Sequence, residues 1–483
     1  MKGRKEKPVT GEDTASVIRA VCEQVLEKIT PSASDRRELR QFSEAFVKTV
    51  RDSLQRAKID ADVHIQGSIA KDTWIAGEKE IDLFISLSKT TSRDALPKVL
   101  DVVKGVLGDT WVEAYAEHPY LIAEVDGYKI DIVPCFPMVR AGQTISAVDR
   151  TPLHTAYVKD HLDDRGRQEV RLLKKFMSGI GVYGAEIKVH GFSGYLCELL
   201  ILTYTSFVET LRHASEWKLG EIIDLEHAYE GRLREAQRRF NAPLIVIDPV
   251  DRNRNVAAAV STERLGELRT ASRQFLDRPR LALFYPPPTR RPSAAQLRET
   301  VSRLGFDVIA IVFQDAGIVP DVLWGQLYKS LRSIQSLLVQ HDFHVLKISA
   351  WSNEKASHAF LLALESRIIP ATKRHRGPPF YAREADHFLE THLNADTTAI
   401  GPWIEGDRWI VGVQRRYTDA AVLLRDELKK EEGEAGVARN LLNAMKTSLE
   451  ITVNEEIIER YGSDAAFLQS LLAFLSGRPK WLE

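Results

Sequence analysis

Val63 to Leu87 reads VHIQGSIAKDTWIAGEKEIDLFISL, and the first part of the chain is built around it. An apolar strand runs into a Gly67-Ser68 turn, and a short segment able to start a helix follows. Glu80-Ile81-Asp82 then opens a second β-rich run. Side chains alternate faces along a strand, so Glu80 and Asp82 point the same way. Further on, KIDIVPCF sets Asp131 between Ile130 and Ile132, on a strand again and opposite in facing to its apolar neighbours. Three carboxylates from adjacent strands suit a hard divalent cation such as Mg²⁺, which takes carboxylate oxygens and is often shared with substrate phosphates. Two such ions can hold the attacking and leaving oxygens of an in-line phosphoryl displacement. Gly67 lets the backbone approach a ligand closely. Ser68 offers a hydroxyl at a helix start, a seat for phosphate, and Lys71 adds positive charge one turn on. Alone, E-x-D would read as the solvated face of an edge strand. The Gly-Ser upstream and the third carboxylate downstream favour the metal reading.

The sequence has 483 residues, enough for about three domains. A hydrophobic share of 44% is ordinary for a chain that buries a core, and the formal net charge of −1 means that any basic surface must be local. Cys22, Cys135 and Cys197 form no C-x-x-C spacing, which argues for a reduced compartment and against a disulfide framework or zinc site. With no long apolar run and no signal-peptide pattern, the expectation is a soluble, cytoplasmic protein with no membrane span.

In chain order, Met1–Asp13 reads as a frayed polar start, and Thr14–Thr30 as an amphipathic helix. Ser34-Asp35 with Glu38 reads as the start of a helix reaching about Ala57. A helix is expected over about Arg93–Leu107, with strands at Trp111–Ala116 and Leu121–Val125 and a hairpin turn at Asp126-Gly127. From Thr151 the texture becomes helical, with a buried helix over Leu196–Phe207. LIVIDPVDRNRNVAAAV reads as a strand ending at Asp248-Pro249, then a polar turn holding Asp251, Arg252, Arg254 and Asn255, then an apolar helix start. Pro286–Pro288 marks a linker. Beyond it, a strand in FDVIAIVFQ, a helix over Asp321–Val339 and strands over Phe343–Trp351 and Ala359–Leu364 suggest a ferredoxin-like α+β module. Lys373-Arg374-His375-Arg376 reads as a basic loop, either merely solvated or in contact with a phosphate backbone. Thr418–Glu483 reads as mostly helical.

Several blocks then carry a resemblance: GSIAKDTW with EIDLF, IDIVPCF, RTPLH, RLLKKF, GVYGAE, GFSGYLCELL, IDPVD-x-x-RNVA, RGPPF and GPWIEGDRW, in order from about residue 60 to 410. The chain resembles the archaeal (class I) CCA-adding enzymes, tRNA nucleotidyltransferases of the DNA polymerase β-like superfamily. The G-S…E-x-D part is shared across that superfamily, whereas the blocks at 178–202 and 246–259 are specific to the family. The resemblance implies an α+β architecture. A polymerase β-like nucleotidyltransferase head on a mixed sheet spans 1–150, and a helical nucleotide-binding central domain spans 151–285. A C-terminal ferredoxin-like α+β and tail region spans 286–483 and holds the acceptor arm and 3′ end of tRNA. It also implies CTP and ATP as substrates, Mg²⁺ as cofactor, and a homodimer among the assemblies open to it.

Residue by residue, the resemblance makes Glu80, Asp82 and Asp131 the catalytic metal-binding carboxylates. It makes Ser68 and Lys71 triphosphate-binding; the family often has Arg where this chain has Lys71, and Lys keeps the charge without the bidentate fork. His154, Lys174 and Tyr183 match nucleotide-binding positions, with Lys175 the neighbouring alternative to Lys174. Arg254 matches the residue facing the incoming base. On the residues alone, His154 could cap a helix, Tyr183 could be core and Lys174 a solvated helix face, and Arg254 could pair with Asp248 or Asp251. Lys373, Arg374 and Arg376 are the candidate RNA contacts. The implied activity is template-free addition of C, C and A to the tRNA 3′ end with release of pyrophosphate. A poly(A) polymerase-type relative and a non-catalytic tRNA-end binder are the rivals.

Overall fold

The computed structural model describes residues 11–88, 95–115, 119–136, 150–288, 292–314, 317–430 and 435–482. The chain divides into two compact units, Met1–Pro287 with Lys480–Glu483 and Pro288–Pro479, so the boundary falls inside the proline run.

In the first unit, α1 (Gly11–Ile29) begins earlier than expected, since Gly11–Asp13 already belong to it. Residues 1–10 of the expected frayed start lie outside the described set. α2 (Ala33–Arg56) starts at a Ser32/Asp35 capping box, two residues before the anticipated Ser34 pattern. The Ser32 hydroxyl accepts from the Asp35 N–H at 3.1 Å while the Asp35 carboxylate accepts from the Ser32 N–H at 2.7 Å, satisfying two otherwise orphan donors. β1 (Ala61–Gln66) leads into the single turn α3 (Gly67–Ala70) and then β2 (Glu80–Leu87). α4 (Leu96–Leu107), β3 (Trp111–Tyr115), β4 (Pro119–Val125) and β5 (Tyr128–Cys135) complete a five-stranded sheet of order β1-β2-β5-β4-β3. Arg93 and Ala116, expected at element ends, lie outside the described residues. Only β2 and β5 pair in parallel, because α4 and the β3-β4 hairpin carry the chain across between them, so the sheet is mixed. Leu83, Ile85, Val99, Val103, Ile130 and Ile132 are buried beneath it.

The rest of this unit is mostly helical: α5 (Thr151–His161), α6 (Asp164–Gly179), α7 (Gly194–Tyr204), α8 (Phe207–Glu216), α9 (Leu233–Phe240) and α10 (Thr262–Asp277). The single helix expected over Leu196–Phe207 breaks. Thr205 takes a left-handed φ of 67°, and the Ser206 hydroxyl accepts from the Glu209 N–H to start α8 afresh. A three-stranded sheet, β6 (Glu221–Ile223), β7 (Leu244–Asp248) and β8 (Asp251–Asn255), interrupts the helices. The expected polar turn at Asp251–Asn255 is therefore a strand, antiparallel to β7. The apolar residues after it form a turn, and the helix waits for the Ser261 cap. Phe207, Phe275 and Phe284 pack around Phe176 edge-on, with ring centroids 5.5, 5.7 and 5.5 Å from it. None of the three cysteines is in a disulfide; Cys135 and Cys197 are buried and Cys22 is half-buried.

The second unit contains α11 (Ala294–Leu304), β9 (Asp307–Gln314), α12 (Pro320–Gln340), β10 (Val345–Ser352) and β11 (Ser357–Leu364). After an insertion come α14 (Ala420–Lys429), α15 (Arg439–Ser448) and β15 (Glu450–Val453), then α16 (Glu455–Tyr461) and α17 (Ala465–Ser476). The order β10-β11-β9-β15, antiparallel throughout, is the ferredoxin-like βαββαβ arrangement. β15 is a strand inside the stretch read as helical. One face of the sheet packs on α12, α14 and α15, the other on α11, α16 and α17. The insertion holds β12 (Thr372–Pro379), α13 (Glu384–Leu393), β13 (Thr398–Glu405) and β14 (Arg408–Gln414). Its sheet has the order β12-β14-β13, so the basic run read as a loop is a strand paired to β14. Among the described residues, no helix is long and apolar enough to cross a membrane.

Candidate active site

A cavity of about 410 Å³ in the first unit is lined by Ser68, Lys71, Glu80, Asp82, Asp131, His154, Lys174, Tyr183 and Arg254, the nine candidates from the sequence. Lys175 is elsewhere, its ammonium 4.4 Å from the ring centre of Tyr285.

The head wall is strand-borne. The parallel register sets Asp82 beside Asp131, and β1 sets Gln66 beside Asp82. Gly67 holds φ at +66°, and a Cβ there would lie 1.7 Å from Asp82 Oδ2. The missing side chain is thus the space that the Asp82 carboxylate occupies. Burial raises the Asp82 pKa, opposed chiefly by Lys71. α3 is only one turn long, so Ser68 brings a hydroxyl and turn amides rather than the dipole of a long helix. Glu80 is mostly exposed and accepts from Lys129 Nζ at 3.2 Å. Among the described residues no group of three His, Cys, Asp or Glu side chains is placed to hold an ion; Asp82 and Asp131 are register partners on adjacent strands, and Glu80 lies at the rim. The donor set still fits a hard cation: carboxylate oxygens on adjacent strands, with backbone kept clear of them by Gly67.

The opposite wall comes from helices and β7-β8, and its polar groups hold one another. Arg171 and Lys174, one turn apart on α6, grip the segment after α3. Arg171 donates to Trp74 O at 2.8 Å and Asp72 O at 2.5 Å, and Lys174 Nζ donates to Thr73 O at 3.0 Å. Glu198 on α7 has no exposed side-chain surface; it accepts from Lys71 Nζ at 2.5 Å and Thr73 Oγ1 at 2.6 Å, with Lys174 Nζ 3.9 Å away. Burial pushes the Lys174 pKa down, and Glu198 opposes that.

Asp248 forms a second hub. Its carboxylate accepts from Arg254 Nη1 at 2.8 Å, His154 Nε2 at 2.9 Å, the Val250 N–H at 3.1 Å and Tyr195 OH at 3.3 Å. An ionised carboxylate only accepts, so His154 carries its proton on Nε2. The His154 ring also stacks on Tyr195, with centroids 4.0 Å apart. Burial alone would raise the Asp248 pKa, but the bonds from His154 and Arg254 outweigh it and hold the carboxyl below its usual range. Burial likewise lowers the His154 pKa despite its carboxylate partner. The Tyr183 hydroxyl lies under Gly194, where an added Cβ would come within 3.1 Å of it.

Glu198, Thr73, Arg171 and Tyr195 were not singled out from the sequence, and Asp248 entered only as a partner for Arg254. One signal was available: Glu198 is the single charge in the apolar run GYLCELLIL, and a carboxylate so placed needs a partner. In the second unit, Lys373 is paired with Asp342 at 2.9 Å and Arg374 with Glu405 at 2.8 Å, while Arg376 is exposed on β12.

Three family profiles match in succession: Nucleotidyltransferase domain at 47–154, tRNA nucleotidyltransferase, second domain at 168–285, and CCA-adding enzyme, C-terminal domain at 304–454. The CCA-adding enzyme of Pyrobaculum islandicum is 37% identical over 418 residues, 86% of this chain and 94% of that enzyme. That of Methanothermobacter thermautotrophicus is 36% identical over 457 residues, 94% of this chain and 97% of its own length. That of Haloarcula marismortui is 34% identical over 92% of this chain and 97% of its own. With likeness of this degree running through both units, the chain belongs to the CCA-adding enzymes, the tRNA nucleotidyltransferases of archaeal type.

Proposed function

We propose that this enzyme adds C, C and A in turn to the 3′ end of tRNA from CTP and ATP, without a nucleic-acid template, releasing pyrophosphate at each step. The observation that carries the mechanism is the cavity in which paired strand carboxylates face a wall of lysine, histidine and arginine. The division into a head (1–150), a central part (151–285) and a C-terminal part (286–483) belongs to the same proposal, supported by the three matched ranges.

Asp82 and Asp131 would hold Mg²⁺, with Glu80 completing the set from the rim once it leaves Lys129. The bound ions supply charge neutralisation of the phosphates and a lowered pKa for the terminal 3′-hydroxyl. Asp131 orients that hydroxyl toward the α-phosphorus and accepts its proton as the new bond forms. Ser68 and Lys71 hold the triphosphate, and Lys174 contributes positive charge from beneath. As the new P–O bond forms, the α–β bridging oxygen leaves with the electron pair, and Lys71 meets the charge developing on pyrophosphate. Arg254, fixed by Asp248, faces the base, with His154 and Tyr183 beside the nucleotide. Little covalent chemistry is asked of the protein, so positioning carries most of the rate. Lys373, Arg374 and Arg376 on β12 are proposed contacts for the tRNA backbone.

The test is incorporation of labelled CTP and ATP, separately and together, into a tRNA transcript lacking its last three nucleotides. Two C additions followed by one A are expected. A long tail from ATP alone would reassign the chain to a poly(A) polymerase-type activity. Mg²⁺-independent tRNA binding with no incorporation would leave only the binding role.

A further inference from the structure

We infer that Glu198 is a positioning residue for nucleotidyl transfer: a buried counter-charge that shares Lys71 with the nucleotide phosphates and thereby limits how tightly pyrophosphate is retained. The inference rests on the proposed role of Lys71 in holding the triphosphate.

The geometry is specific. Glu198 Oε2 accepts from Lys71 Nζ at 2.5 Å, and Oε1 accepts from Thr73 Oγ1 at 2.6 Å. Each carboxylate oxygen therefore has its own donor, and the carboxylate is fixed in orientation. Lys71 lines the cavity, and an ammonium has three donors, so one N–H can stay on Glu198 while the others reach a phosphate. Lys174 lies deeper, with 2% of its side chain exposed, and is bound to Thr73. Two ammonium groups and one carboxylate leave this floor with a single net positive charge.

Its neighbours on α7, Leu196, Cys197, Leu199, Leu200 and Ile201, are buried and apolar, and the carboxylate alone turns to Lys71, Thr73 and Lys174. A buried ion pair as a whole is a weak source of stability, because desolvation consumes most of its attraction, although removing one partner leaves the other uncompensated. What the carboxylate changes is the grip of the floor on anions. Without it, two adjacent ammonium groups would meet the triphosphate and then the product. In the proposed reaction one cavity serves three additions per tRNA, so pyrophosphate must leave it three times. A carboxylate competing for Lys71 weakens the hold on the leaving product at every cycle.

The test is the inhibition constant of pyrophosphate against CTP, measured on the full chain and on Glu198→Gln, with melting temperature and tRNA affinity alongside. Glutamine keeps the size and an acceptor but removes the charge. Pyrophosphate should inhibit Glu198→Gln roughly tenfold more tightly, the worth of one charge-assisted hydrogen bond, with kcat reduced and tRNA affinity unchanged. An inhibition constant that is unchanged or weaker would overturn the inference, and a lower melting temperature beside it would make Glu198 a purely structural residue. If Glu198→Gln does not fold, Glu198→Asp serves. It keeps the charge but retracts it from Lys71, and pyrophosphate should again inhibit more tightly; equal inhibition overturns the proposal. Failure of the wild-type chain to incorporate CTP would instead remove the underlying reading.

Discussion

The two walls of the cavity use the same chemical groups in opposite ways. On the head wall, Asp82 and Asp131 sit side by side on β2 and β5 and face the cavity. On the helical wall, Glu198 and Asp248 are fully buried and turned toward the protein's own cations. One pair of carboxylates lines the cavity, while the other holds Lys71, Lys174, His154 and Arg254 in place. Acidic residues near an active site thus fall into two trades, and burial with local partners separates them where residue type does not.

The sharpest way to break this contrast is Asp82→Ala. Incorporation should fall by about a thousandfold or more, the scale of losing a metal's charge stabilisation, while tRNA binding stays near normal. Turnover at the wild-type rate would take the head wall out of the chemistry. Gly67→Ala comes next. Its Cβ would collide with Asp82 Oδ2 at a backbone φ of +66°, and strain of about 1–3 kcal/mol plus displacement of the carboxylate should cost roughly a hundredfold in kcat. A near-normal kcat would mean that Asp82 has another productive position. On the other wall, Asp248→Asn should destabilise the fold by about 3 kcal/mol, as breaking one side of a buried pair does, and change the CTP-to-ATP preference by about tenfold as Arg254 loosens. Chemical denaturation and paired incorporation rates read the two effects. An unchanged preference would leave Asp248 with stability alone.

The smallest effect concerns pH. Burial holds the folded His154 pKa below its ordinary 6.5, so the unfolded chain takes up this proton first. The neutral ring's contribution is complete above that value and is lost as pH falls below it toward the folded one. Urea midpoints followed from about pH 8 to about pH 5 should decline on the acid side by under about 1 kcal/mol, and His154→Gln should remove this part of the decline.

What could be read from sequence follows the same division. Period-two alternation exposes Glu80, Asp82 and Asp131, because a strand with one buried face writes its geometry into neighbouring residues. Glu198 meets Lys71 across 127 positions and Asp248 meets His154 across 94, and no local spacing encodes either contact. The polar strands β8 and β12 were missed for a related reason. DRNRN and TKRHRGPP lack apolar alternation, and what makes them strands is backbone pairing to IVID and to RWIVGVQ. The ferredoxin-like unit was legible from its apolar strands, but the insertion within it was not. The break at Thr205 was hidden because tyrosine, threonine and serine continue the apparent helix until Ser206 caps the next one.

The cysteines, finally, bear on how motion in this enzyme could be watched. Burial pushes the thiols of Cys22 and Cys197 up to about 12, and Cys135 has no exposed surface. Only the thiolate reacts at a useful rate with maleimides or iodoacetamides. The natural chain is therefore close to a silent background for such reagents. A pair of cysteines introduced at exposed positions could carry fluorophores or spin labels through successive additions without first removing the native three.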